Sequence, residues 1–167
     1  MTATEVSFEL NGRPVQVGVE PNQSLIEVLR TQVGATDVKH GCGEGVCGTC
    51  TVLLDGEPVN SCLLFAVQAD GASVTTLRGL GHDEGNLHPL QESFLEHGGS
   101  QCGFCTPGMV LTAHWFLGQN PRPTREEIRE ALGGNLCRCT GYTKIVDAVD
   151  DHARANRSDH EEENRVA

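Results

Sequence analysis

Eight cysteines carry most of the chemistry available to this chain of 167 residues, and they fall into two groups of four. The first cysteine set follows the spacing C-x4-C-x2-C-x11-C and consists of Cys42, Cys47, Cys50 and Cys62. Four glycines are interleaved with its first three members in residues 41–50. A loop that directs several thiolates at one point must turn tightly, and glycine adopts positive φ angles at little cost. Missing side chains also let backbone N–H groups approach the sulfur atoms.

This spacing is that of plant-type [2Fe–2S] sites. A structural zinc site would more often show two separated C-x2-C pairs and would not need so many glycines. A disulfide framework belongs to short secreted chains, and the N-terminus shows no basic region followed by an apolar core, so no signal peptide is expected. The residues favour iron–sulfur ligation, with zinc and disulfides as the alternatives.

The second cysteine set consists of the pair Cys102 and Cys105 and the pair Cys137 and Cys139. Each pair lies just before the predicted start of a helix, where partial positive charge and free N–H groups favour an anionic cluster. Packing two such helix–cysteine–helix units as a four-helix bundle would bring the four thiolates together at one end. The C-x-C pair is short for a zinc site. We therefore predict a second [2Fe–2S] cluster, with zinc or unrelated thiols as the alternative.

The sequence around the first cysteine set predicts a small α+β domain. Apolar residues alternate in 4–10 and 15–19, and Asn11-Gly12 between them is a strong hairpin signal. Ser24 and Glu27 form a capping box that opens a short helix. Further strands are predicted at 51–54, at 59–64, which contains Cys62, and at 73–77.

The second half of the chain is patterned as helices. The first is predicted at 89–97 and is ended by Gly98-Gly99. The second is predicted at 109–117, the third begins at the capping box of residues 124–127, and the fourth is predicted at 143–155. Thr106 is expected as the N-cap of the second of these helices, with Pro107 in its first position. Residues 78–87 read as a glycine-rich link.

The sequence predicts a first domain at 1–79, a helical domain at 80–155 and an acidic, disordered tail at 156–167.

Composition narrows the class of protein and its partners. With 12 Lys+Arg against 23 Asp+Glu the net charge is −11, which argues against nucleic acid as a partner. No apolar run is long enough to span a membrane. Eight cysteines without a secretion signal suggest a reducing compartment, so we expect the protein in the cytoplasm.

Two motifs carry a resemblance that covers residues 6–152. Gln101-Cys-Gly-Phe-Cys-Thr-Pro-Gly and Asn135-Leu-Cys-Arg-Cys-Thr-Gly-Tyr resemble those of the small iron–sulfur subunits of the molybdenum hydroxylases, the xanthine oxidase family. The resemblance implies an N-terminal β-grasp domain of the plant-type ferredoxin kind, followed by an all-α four-helix-bundle [2Fe–2S] domain. It also implies that the first cluster lies nearer the flavin and the second nearer the molybdenum cofactor. Gln101 matches a glutamine that hydrogen-bonds the pterin, and Cys139 matches the ligand nearest to it.

The expected function is electron transfer. The resemblance implies a large subunit with molybdopterin and a medium subunit with FAD, in a heterotrimer. On this chain we find no catalytic constellation and no nucleotide-binding motif. The alternatives are a free-standing two-cluster ferredoxin and a zinc-stabilised interaction module. A subunit should expose an apolar patch around Phe104, Met109 and Trp115, whereas a diffusing carrier should be acidic and soluble alone.

Overall fold

The structure is a computed structural model, and it describes the backbone of residues 3–81 and 86–166. Residues 82–85, within the predicted glycine-rich link, lie outside the described part. The strands are β1 (Thr4–Leu10), β2 (Arg13–Val19), β3 (Thr51–Leu54), β4 (Glu57–Asn60) and β5 (Ser73–Thr75). The α-helices are α1 (Leu25–Thr31), α2 (Pro89–Glu96), α3 (Thr106–Gln119), α4 (Arg125–Ala131) and α5 (Thr143–Val166).

The strands form one mixed sheet in the order β2-β1-β5-β3-β4. The predicted hairpin is present: β1 and β2 are antiparallel, and Asn11 and Gly12 both have positive φ, 52° and 77°. These values belong to the two-residue turn whose twist matches that of the strands. Because β1 pairs with β5 in parallel, the chain must cross over between them, and α1 and the first cysteine set lie in that crossover.

Helix α1 closes the core of this unit. The Glu27 carboxylate accepts hydrogen bonds from the backbone N–H and the hydroxyl of Ser24, at 3.0 and 2.8 Å. This confirms the predicted helix start. The apolar side of the helix is fully buried against the sheet and consists of Leu25, Ile26, Val28 and Leu29.

The segment that carries Cys62 differs from the prediction. β4 ends at Asn60, so residues 61–64 leave the sheet and Cys62 lies in a turn instead of a strand. The Ser61 N–H and hydroxyl both donate to the Cys50 carbonyl, the hydroxyl at 2.7 Å, and hold the start of this turn beside the cysteine-rich loop. Side chains of a strand alternate between faces, whereas a turn brings Cys62 back to the cysteine-rich loop. β5 also ends early, at Thr75.

The helical half confirms the predicted bundle. After α2 ends at Glu96, the chain turns at Gly98 (φ 64°), and the Gly99 N–H donates to the Phe94 carbonyl at 2.8 Å. Thr124 and Glu127 form the predicted capping box of α4. The helices enclose a separate core built from the residues Leu90, Phe94, Met109, Leu111, Ile128, Ile145 and Val149.

Two helix boundaries depart from the prediction. α3 starts one residue early, so Cys105 is its N-cap and Thr106 its first residue. α5 continues through Val166, into the segment predicted to be disordered. Glu161 to Glu163 are good helix formers, and extending an existing helix costs far less than starting one. The side chains of 157–166 lie outside the described part of the structure.

Within the described residues, no helix combines the length and the apolar character needed to cross a membrane.

Candidate metal centres

All eight cysteines are free thiols. In the first cysteine set, the Cys42 N–H points at the Cys47 sulfur at 3.4 Å, and the thiols of Cys50 and Cys62 interact with each other. The set therefore consists of two pairs. A [2Fe–2S] cluster needs this donor arrangement, because each of its two irons takes two thiolates.

Glycines let the cysteine-rich loop close around this site. Gly43, Gly45 and Gly48 have φ angles of 74°, 74° and 64°, a region that other residues rarely adopt. At Gly41 glycine is required by space and not by the φ angle: a Cβ there would lie 2.9 Å from the Cys47 sulfur. The structure thus requires glycine at these four positions, as the sequence predicts.

The thiols of the first cysteine set sit in unequal surroundings. Hydrogen bonds from the Glu44 N–H and from Cys47 lower the pKa of the exposed Cys42 to about 6. Burial raises the pKa of Cys50 to about 11. Metal ligation requires the thiolate, so loading the buried side of the site releases protons.

The second cysteine set is also assembled from two pairs, each of which joins one cysteine from either motif. The Cys139 and Cys102 sulfurs lie 3.5 Å apart, and the Cys105 thiol interacts with that of Cys137. Cys105 is the N-cap of α3, and the other motif ends just before α5. Each cysteine motif therefore lies next to the N-terminus of a helix, which favours an anionic group there.

In the exposed pair, the two thiols shift in opposite directions. A hydrogen bond from the Phe104 N–H lowers the pKa of Cys102. The Cys139 thiol donates a hydrogen bond to the Cys102 sulfur, and this raises the pKa of Cys139. Both residues are exposed, so this pair forms the outer rim of the site.

The inner pair of the second cysteine set, Cys105 and Cys137, is partly buried. Burial raises the pKa of Cys105 to about 12. Burial alone would also raise the pKa of Cys137, but hydrogen bonds from Thr140 outweigh it and the pKa is lowered. The inner pair thus holds one thiol that resists deprotonation and one that favours it.

A hydrogen-bonded junction joins the two cysteine sets directly. The Leu136 N–H donates to the Cys47 carbonyl at 2.9 Å, and the Asn135 side-chain amide donates to the Gly48 carbonyl, also at 2.9 Å. Asn135 is only 4% exposed. A Cβ on Gly108 of α3 would overlap with the Gly48 carbonyl. We refer to residues 47–48, 108 and 135–136 as the junction. The sequence patterns assign no separate role to Gly108, Asn135 or Leu136.

Apolar side chains are exposed beside both cysteine sets. Phe104 and Leu136 flank the second set with 47% and 50% exposure, and Val46 and Leu63 flank the first with 64% and 62%. Of the predicted patch, only Phe104 is exposed. Met109 is fully buried and Trp115 packs against the helical core, because α3 contacts β3, α2 and α4 and so has little free surface. Gln101 is exposed next to Cys102.

Comparison with known families matches both halves of the chain. Residues 8–75 match the 2Fe-2S iron-sulfur cluster binding domain, and residues 76–150 match the [2Fe-2S] binding domain. Both cysteine sets fall inside these matches. The prediction of two iron–sulfur domains is thereby confirmed over the zinc and disulfide alternatives.

Known proteins resemble the chain over most of its length. It is 50% identical to the nicotinate dehydrogenase small FeS subunit of Eubacterium barkeri, over 89% of this chain and 94% of the relative. The structure of quinoline 2-oxidoreductase from Pseudomonas putida superposes with a TM-score of 0.90 at 49% identity, over 95% of this chain and 98% of that one. In the aldehyde oxidoreductase of Desulfovibrio desulfuricans, 46% identical with a TM-score of 0.87, the match covers 92% of this chain but 17% of the longer one.

Fold and sites define a two-domain iron–sulfur protein that works as part of a larger oxidoreductase. The chain belongs to the family of small iron–sulfur subunits of the molybdenum hydroxylases. In some relatives the homologous segment is a separate small subunit, and in others it is one part of a long polypeptide. A larger partner is therefore a property of this family.

Proposed function

We propose that this chain transfers electrons between a molybdopterin site on a large subunit and FAD on a medium subunit. When bound, the two [2Fe–2S] clusters supply the capacity to accept and release single electrons. The observation that carries the proposal is the pair of four-cysteine sites, joined at a hydrogen-bonded junction within one chain. The chain contributes ligands, spacing and surroundings, and the substrate is converted elsewhere.

The residues that would hold the clusters are the eight cysteines in their two sets. We assign Cys42, Cys47, Cys50 and Cys62 to the first cluster, and Cys102, Cys105, Cys137 and Cys139 to the second. The junction supports rapid transfer, because the Leu136–Cys47 hydrogen bond leaves only a short stretch of backbone between a ligand of one set and a ligand of the other. Direction of flow depends on the partner and its substrate.

The exposed residues support an orientation for the chain in its complex. Gln101, Cys102 and Cys139 are exposed together at the second cysteine set, and we infer that this rim faces the pterin of the large subunit, with the Gln101 amide as its hydrogen-bonding partner. Val46 and Leu63 would then face the FAD-binding subunit. We further infer a heterotrimer located in the cytoplasm, in keeping with eight unpaired thiols.

Purification of the tagged chain from its native host under mild conditions tests this function. We expect two larger subunits to co-elute, with molybdenum, FAD and about four irons for each copy of this chain. After reduction with dithionite, EPR should show two distinct [2Fe–2S] signals of equal intensity. A chain that elutes alone with both clusters intact, and that reduces an acceptor protein in solution, would instead be a diffusible ferredoxin.

A further inference from the structure

A small hydrogen-bonded unit surrounds one ligand of the second cysteine set. The Thr140 hydroxyl oxygen lies 3.1 Å from the Cys137 sulfur. The same oxygen accepts a hydrogen bond from the Tyr142 N–H at 3.1 Å. The Tyr142 phenol oxygen in turn accepts from the Cys137 N–H at 2.9 Å. Thr140 and Tyr142 therefore hold both the side chain and the backbone of one ligand residue.

The direction of the bond to sulfur follows from the number of protons available. A threonine hydroxyl has a single proton and two acceptor lone pairs. Since the Tyr142 N–H already occupies one lone pair, the proton of the hydroxyl is free to point at the sulfur. A cysteine that ligates a metal is a thiolate and has no proton to donate. In the loaded protein, Thr140 is therefore the donor.

The backbone supports this arrangement at some cost. Tyr142 has a φ angle of 68°, and Gly141 before it has 63°. Positive φ is unfavourable for an aromatic residue and persists only where surrounding contacts enforce it. Here it folds the chain back so that the phenol reaches the Cys137 N–H and the Tyr142 N–H reaches Thr140. Such strain at a ligand segment points to a functional arrangement.

We propose that the Thr140 hydroxyl, held in place by Tyr142, raises the reduction potential of the second cluster through its hydrogen bond to the Cys137 sulfur. Reduction adds negative charge to an iron–sulfur cluster, and a donor aimed at a ligand sulfur stabilises that charge. Thr140 is a positioning and tuning residue, and this inference rests on the proposed electron-transfer function. Its effect is confined to one cluster, because among the described contacts the hydroxyl reaches a sulfur of the second cysteine set only.

The test is an EPR-monitored redox titration of the intact complex, in which each cluster has its own signal. Thr140→Val keeps the shape of the side chain and removes the hydroxyl, and we expect it to lower the midpoint potential of the second cluster while that of the first stays unchanged. Thr140→Ser retains the hydroxyl and should restore the wild-type value. Thr106→Val is the matched control, since the Thr106 hydroxyl donates to Ser100 at 3.1 Å and has no sulfur partner among the hydrogen bonds that the structure describes.

A measurement on the unaltered protein covers the case in which Thr140→Val does not load its cluster. Exchange into D2O shifts the iron–thiolate stretching bands in the resonance Raman spectrum through the Thr140 hydroxyl as well as through the backbone N–H donors to Cys137, and the shift in Thr140→Ser should equal that of the wild type. An unchanged potential in Thr140→Val, an equal change in both clusters, or Raman bands insensitive to D2O would overturn the inference. Absence of a second EPR signal from the wild-type complex would overturn the proposed function itself.

Discussion

At the residue scale, the members of each cysteine set differ in how far the protein covers them. Each set combines exposed with more buried members: Cys42 is exposed and Cys50 buried, and Cys102 and Cys139 are exposed while Cys105 is partly covered. The pKa values of Cys50 and Cys105 are raised by burial, and those of the exposed Cys42 and Cys102 are lowered by hydrogen bonds. Loading should therefore depend on pH, because the buried thiols must give up their protons to become ligands.

The assignment of ligands to the two clusters predicts selective losses. Cys105→Ala should remove the EPR signal of the second cluster and halve the iron content, while the signal of the first cluster remains. Cys50→Ala should do the reverse. Each cluster needs four thiolates from its own set, so the losses should not cross over.

Quantitative EPR of the dithionite-reduced variants, with iron and sulfide analysis, provides the measurement. Far-UV circular dichroism controls for unfolding. If both variants lost the same signal, the division of the cysteines into these two sets would be wrong.

The cysteine sets could be predicted from sequence because spacing and glycine content are local. The junction could not. Asn135 stands in the sequence as an ordinary loop amide, and its role depends on a carbonyl 87 positions earlier in the chain. Gly108 likewise looks like a mild weakness in a helix until Gly48 is seen to pack against it. Sequence patterns report local geometry, whereas these contacts arise only when the two domains pack together.

At the element scale, α3 links the two halves of the molecule. It contacts β3 and β4 of the sheet as well as α2 and α4 of the bundle, and residues 107–113 are buried without interruption. A helix that is apolar on all sides is typical of a central position. The local rules predicted the hairpin and both capping boxes. The predicted bounds of β4 were wrong, because its end depends on tertiary contacts, and the helix predicted at 143–155 continues to Val166 by propagation.

Two glycines of α3 provide a matched pair of substitutions. Gly108→Ala should destabilise the protein by about 1–3 kcal/mol, because its methyl group would collide with the Gly48 carbonyl at the junction. Gly118→Ala meets open space and should leave stability equal or raise it by up to about 1 kcal/mol.

Thermal unfolding of the loaded protein, followed by circular dichroism and by the visible absorbance of the clusters, distinguishes these outcomes. The Gly108→Ala protein should lose both signals at a lower temperature than the wild type. Equal midpoints for the two variants would show that the junction tolerates a methyl group and is less tightly packed than the structure indicates.

At the scale of the whole molecule, the surface around the cysteine sets is suited to contact with other chains. Four of the exposed apolar side chains lie beside the cysteine sets, on a chain whose net charge is −11: Val46, Leu63, Phe104 and Leu136. Isolated exposed apolar residues need no explanation, but these flank the sites through which electrons must leave. They are candidates for the centres of two separate interfaces.

Reciprocal substitutions test that division. Phe104→Ser should weaken association with the large subunit by about 1–2 kcal/mol, roughly tenfold in affinity, and leave the medium subunit bound. Leu63→Ser should weaken association with the medium subunit only. Each variant is thus the control for the other, and their EPR spectra should match the wild type because neither residue ligates iron.

Subunit retention after size-exclusion chromatography at decreasing concentration gives the two affinities. Loss of both partners from either variant would contradict the assignment of separate faces.

The contact between Asn135 and Gly48 also limits how such proteins can evolve. A hybrid gene that fused the first half of this chain to the second half of a distant relative would keep all eight ligands. Its halves would pack correctly only if the Asn135 amide could still reach the Gly48 carbonyl and residue 108 were still a glycine. We therefore expect the two halves to be kept together in relatives, whether the segment stands alone or is embedded in a much longer polypeptide.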